Sequence, residues 1–134
     1  MLFGDEHVRR YEETDGAEGH DWQPGVPTLV LTTTGRKTGQ ERKFALIYQE
    51  IDGNHVIVAS KGGAANHPGW YLNLVDEPQV TVQVKADKYA ARARTAEGDE
   101  RAELWKQMAE VWPDYNNYQQ KTDREIPVVV LERV

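Results

Sequence analysis

Cysteine is absent from this 134-residue chain. Its absence excludes disulfides, thiolate metal sites, iron–sulfur clusters and a cysteine nucleophile. No remaining side chain can store two electrons, so any redox chemistry requires a bound organic cofactor. Histidine is scarce as well. His7, His20, His55 and His67 are nowhere spaced at i, i+4 and form no HExxH pattern, so no protein metal site is expected. No apolar run approaches the length of a membrane span. The first ten residues lack the layout of a signal peptide, and a cytoplasmic protein without an integral membrane segment is expected. Positive charge is in deficit, 16 Lys and Arg against 22 Asp and Glu, for a net charge of −6. A nucleic-acid partner needs a broad basic surface, and none is expected here.

What remains is an ordinary globular composition, 39% hydrophobic and 28% charged, of a size suited to one core. Residues 1–24 form a polar segment, with a short helix expected at 5–13 and a loop at 14–19. The folded body is expected over 25–134. Strands are predicted at 28–34, 42–51, 55–60, 79–84, 88–96 and 126–131 from β-branched content and alternation. Asp52-Gly53 marks a hairpin. Helices are predicted at 68–75, 100–111 and 114–120, and 61–66 as a loop. Hairpin connections make the sheet mainly antiparallel. About six such strands without long crossovers must pack on helices or close on themselves. The expected class is therefore α+β, a partly open, split β-barrel flanked by short helices.

Against the acidic background, two glycine-basic segments stand out: TTTGRKTGQ at 32–40 with Arg42 beyond it, and ASKGG at 59–63 followed by HPGWYLN at 67–73. Glycines allow close backbone approach to a ligand, and Arg36, Lys37, Thr38, Arg42 and Lys61 add charge or a hydroxyl. The first segment is not a Walker loop, since no helix follows it. Taken alone it reads better as a β-turn with solvated cations, since basic turns are common. Together, at strand ends of one sheet, the two segments read as a cradle for an anionic cofactor. Trp70 and Asn73 share a helix face, either as a stacking wall or as core. Trp112, Tyr115 and Tyr118 recur every three residues, which makes an aromatic face that either lines a pocket or packs on the barrel.

LTTTGRKTGQ at 31–40, Arg42, VASKGG at 58–63, PGWYLNL at 68–74 and YNNYQQKTDREIP at 115–127, in that order, resemble the deazaflavin-dependent nitroreductase family. These proteins are also described as coenzyme F420-dependent quinone reductases of the split β-barrel type. The resemblance implies a reductase that binds reduced F420 and passes hydride to quinones, enones or other electron-poor small molecules. It implies that Arg36, Lys37, Thr38 and Arg42 face the phosphate and tail. Ala59, Ser60, Lys61, Gly62 and Gly63 would contact ring and chain, with Trp70 and Asn73 on the same wall. Trp112, Tyr115 and Tyr118 would line the substrate side, with Tyr115, Tyr118 and Ser60 as catalytic groups. Members that reduce bicyclic nitroimidazoles carry a third tyrosine where this chain has Trp112. That difference turns the expectation toward quinones and enones. Barrels of this kind occur as monomers and homodimers. An FMN- or haem-binding split barrel, or a non-catalytic deazaflavin carrier, remains open as an alternative.

Overall fold

A computed structural model describes residues 2–134. Helix α1 (Gly4–Thr14) is followed by β1 (Asp21–Gln23), β2 (Val26–Thr34), β3 (Glu41–Ile47), β4 (Gln49–Ile51) and β5 (Asn54–Val58). A 3-10 turn (Lys61–Gly63) leads to α2 (Gly69–Asp76), β6 (Gln79–Val84), β7 (Asp87–Thr95), α3 (Gly98–Val111), α4 (Asp114–Gln120) and β8 (Val128–Arg133). Every strand pairing is antiparallel.

The expected strand at 42–51 is present but changes partner midway. Up to Ile47 it pairs with β2, from Thr34↔Glu41 to Thr28↔Ile47. Beyond Tyr48 it pairs with β5, from Gln49↔Val56 to Ile51↔Asn54. The sheet order therefore runs β3, β2, β6, β7, β8, β5, β4, and its two ends are halves of one strand. A sheet that ends on the strand it began with is a curled barrel, left open between β3 and β5. This is the expected split barrel, with β1 added as a short strand and the 3-10 turn in place of a loop. At the β4–β5 hairpin, Asp52 and Gly53 both have positive φ (53° and 82°), the conformation of a type I′ turn.

Alternation sorts the core. Leu29 and Leu31 of β2, Ile57 of β5, and Val129 and Leu131 of β8 face the barrel interior, where Trp70 and Leu74 of α2 join them. The opposite faces are also covered. Val56, Val58, Val128 and Val130 pack under α3 and α4 with Leu104, Met108 and Tyr115. Val30 packs under α1 with Val8 and Tyr11. Burial on both faces explains why β8 reads as the continuous apolar run VVVL. Among the described residues, no helix is long and apolar enough to cross a membrane.

Candidate active site

The opening between β3 and β5 is a cleft of about 280 Å³. Ala45, Leu46 and Ile47 line it from β3, and Val58, Ser60, Lys61 and Gly62 from the end of β5. Trp112, Tyr115 and Tyr118 form a third wall. Leu2, Phe3, Gly4, His7 and Trp22 of the N-terminal segment form a fourth. The change of partner at Tyr48 creates this space, because β3 and β5 part there and leave a gap that a continuous sheet would have closed.

The segment after β5 has an unusual backbone. Ser60 is right-handed helical (φ −79°, ψ −40°), and Lys61, Gly62 and Gly63 that follow have φ of 47°, 64° and 84°. A right-handed residue followed by left-handed ones gathers successive N–H groups into an anion-binding nest. The N–H groups of Ser60, Lys61 and Gly62 donate to no acceptor among the described residues; the Gly63 N–H is used within the loop, 2.9 Å from Ser60 O. The Ser60 hydroxyl likewise has no partner among them. Lys61 holds a left-handed conformation without being glycine, a modest strain. Gly63 must be glycine for a second reason, because its backbone lies directly against α4.

The other glycine-basic segment is anchored to α2. Arg36 donates from its backbone N–H and from Nη1 to Asn73 Oδ1 (3.2 and 2.8 Å), and more weakly to Gly69 O (3.4 Å). Asn73 spends its amide nitrogen on Thr33 Oγ1, 3.2 Å away. Asn73 thus lies buried beneath the basic turn, and Trp70, on the same helix face, is buried in the barrel interior. Thr38 Oγ1 accepts from the Gln40 N–H inside the turn, while Lys37 is exposed. Arg42 lies outside the cleft, on a separate groove between α1 and β3 that also holds Glu12, Glu41 and Lys43. Ala59 is buried at the inner end of β5. The structure therefore gathers Ser60, Lys61, Gly62, Trp112, Tyr115 and Tyr118 in one cleft, whereas Arg36, Lys37 and Thr38 do not line it and Arg36 is tied to α2.

The aromatic wall is continuous. Trp112 Nε1 donates to Tyr118 OH at 3.3 Å, and the rings of Tyr118 and Tyr115 meet edge to face at 6.2 Å. Burial, and next the nearby Tyr118, raises the Tyr115 pKa well above the ordinary phenol value, so this hydroxyl is a neutral donor. Trp22 packs on Trp112 at 5.5 Å and on Phe3 at 5.8 Å, and its Nε1 donates to Leu2 O. His7 is buried and hydrogen bonded to Gly19 O. These N-terminal wall residues are absent from the sequence-based candidates. The available signal was Phe3 and Trp22, large aromatics in an otherwise polar segment.

One more residue went unnoticed in the sequence. Arg124, between α4 and β8, holds the nest loop from behind. Nε donates to Ala64 O (2.8 Å), Nη1 to Ala59 O (3.2 Å) and Nη2 to Ser60 O (2.8 Å). Nη1 also lies 3.1 Å from His67 Nδ1.

A family model described as F420H(2)-dependent quinone reductase matches residues 4–133. An F420H(2)-dependent quinone reductase of Mycobacterium tuberculosis is 40% identical over 130 residues, 95% of this chain and 87% of that protein. The solved structure of an F420-H2 dependent reductase, FDR-A, is 44% identical and superposes with a TM-score of 0.74, covering 79% of this chain and 94% of its own. Another, described as a domain-swapped dimer, is 41% identical with a TM-score of 0.77, over 93% of this chain and 96% of its own. The likeness extends from α1 to β8 and is not confined to the glycine-basic segments. On that breadth the chain belongs to the F420H(2)-dependent quinone reductase family, and it is an oxidoreductase whose cofactor is reduced coenzyme F420.

Proposed function

We propose that the cleft between β3 and β5 is where this protein reduces a quinone, or a similarly electron-poor small molecule, at the expense of reduced F420. The observation that carries the reading is the meeting, in one cleft, of a backbone nest with free donors and a wall of indole and phenol groups. The residues present fit the cofactor. Three N–H donors and Lys61 would hold electron-rich oxygens of its ring system, and the exposed Arg36 and Lys37 would suit its anionic chain. Arg42 would meet the tail only if the tail turned toward α1. Bound there, reduced F420 supplies the hydride.

The protein's own part is positioning and proton supply. The β3 side chains Leu46 and Ile47 give the substrate an apolar floor, and Phe3, Trp22 and Trp112 form an aromatic side wall. Tyr118 receives a hydrogen bond from Trp112. An indole N–H can only donate, so the Tyr118 hydroxyl proton is directed elsewhere and is available to a substrate oxygen. The Ser60 hydroxyl, without a partner among the described residues, is the second candidate donor. Tyr115, held neutral by burial, orients the substrate. The homologue described as a domain-swapped dimer makes a homodimer as reasonable an expectation as a monomer.

The test follows reoxidation of reduced F420 with menadione and other quinones in absorbance. The protein should accelerate it over the uncatalysed control. Tyr118→Phe should slow turnover by about tenfold or more while leaving binding of the oxidised coenzyme unchanged. No acceleration with any quinone or enone would sink the proposal.

A further inference from the structure

Arg124 is half-buried, and no carboxylate pairs with it among the described residues. Its donors go to three backbone carbonyls, and the identity of those carbonyls matters. The Ala59 oxygen belongs to the peptide unit whose N–H is that of Ser60. The Ser60 oxygen belongs to the unit whose N–H is that of Lys61. In a trans peptide the C=O and N–H point in opposite directions. Arg124 therefore binds the oxygen ends of two of the peptide units whose hydrogen ends form the nest. A cation on a carbonyl polarises its peptide and strengthens the N–H on the far side, as neighbouring hydrogen bonds do in a chain. The third bond, to Ala64 O, closes the loop on its other side.

We infer that Arg124 is the positioning residue of the cofactor site: it holds Ser60–Gly62 in the nest conformation and passes its positive charge through two peptide units to the donors facing the cleft. The inference rests on the reading that this nest contacts the cofactor. It would let an acidic protein favour an anion at the cleft although Lys61 is the one Lys or Arg among the lining residues. It also explains why Lys61 stays left-handed, since Ser60 O before it and Ala64 O three residues after it are tied to one rigid fork. Lysine carries the same charge but lacks the fork, so the two functions can be separated.

The experiment measures binding of oxidised F420 by fluorescence quenching, together with steady-state kinetics and the amide resonances of the cofactor-free protein. Arg124→Gln should weaken binding about tenfold or more, appearing in KM for the cofactor far more than in kcat. Arg124→Lys should recover much of the affinity. Methylguanidinium added to Arg124→Ala should recover part of it. In the cofactor-free protein, Arg124→Gln should shift the amide resonances of Ser60 and Lys61. If Arg124→Gln folds and binds the coenzyme as tightly as the unaltered protein, the inference is wrong. If Arg124→Gln does not fold, Arg124→Lys decides: unaltered affinity and unaltered nest resonances support the charge relay, and a loss as large as that of Arg124→Ala overturns it. If the unaltered protein does not bind F420, the functional proposal fails instead. The inference is then judged on the Ser60 and Lys61 resonances alone, and unmoved resonances in Arg124→Gln overturn it.

Discussion

A methyl group on residue 63 would lie 2.6 Å from the Tyr118 carbonyl oxygen and 2.9 Å from the Tyr118 Cα, both backbone atoms of α4. Residue 63 also has φ of 84°, where a Cβ is strained whatever the space. Gly63→Ala should therefore cost ~2 kcal/mol or more, read as a lower urea midpoint at unchanged m-value. A midpoint within error of the original would show that α4 yields easily. At this scale the sequence is only partly informative. The three-residue spacing of Trp70 and Asn73 shows that they share a helix face, and the structure has both buried on one side of α2. Spacing does not say whether that face looks toward a ligand or into a barrel. Arg124 lies within the family-like segment 115–127, but nothing there gave it a role, because its partners are chiefly main-chain carbonyls, which no side-chain pattern records.

The loop from Ser60 to α2 depends on a histidine as well as on Arg124. Arg124 Nη1 can donate to His67 Nδ1 only while that nitrogen carries no proton. Burial, and then the charge of Arg124, lowers the His67 pKa below its ordinary value. His55 is lowered too, chiefly by burial. In the unfolded chain such histidines protonate near about pH 6.5. Below that pH, and down to the depressed folded-state value, the unfolded chain binds more protons than the folded one. Stability is therefore full above that pH and falls as the pH is lowered through this window. His67→Gln should flatten part of the decline between pH 7 and 5, measured as urea midpoints. An equally steep decline in the variant would remove His67 as a cause. The secondary structure itself was largely readable from alternation, the Asp52-Gly53 turn and the helix periodicities. The break at Tyr48 was not, since a strand that changes partner remains extended and apolar throughout. The short β1 and the 3-10 turn are likewise products of tertiary contacts.

For the whole molecule, hairpin logic gave the antiparallel sheet and its closure, but the position of the opening depended on the partner change at Tyr48. The site could be named from sequence by its residues and not by its place between two strands. Among the described residues β3 pairs with β2 alone, so its outer edge lacks a paired strand, and whatever fills the cleft substitutes for one. Binding of F420 should slow hydrogen exchange in β3 and at Val58–Gly62 and raise the unfolding midpoint. The expected stabilisation is about 2.7 kcal/mol at a hundredfold excess over Kd. Exchange unchanged across β3 would place the cofactor elsewhere. The same gap has a bearing on the protein's lifetime. Degradation draws on the transiently opened fraction, so a shift of this size can change steady-state abundance several-fold. A barrel completed by its own coenzyme is thus protected in proportion to coenzyme supply. When F420 is scarce, the enzyme that depends on it should be cleared soonest.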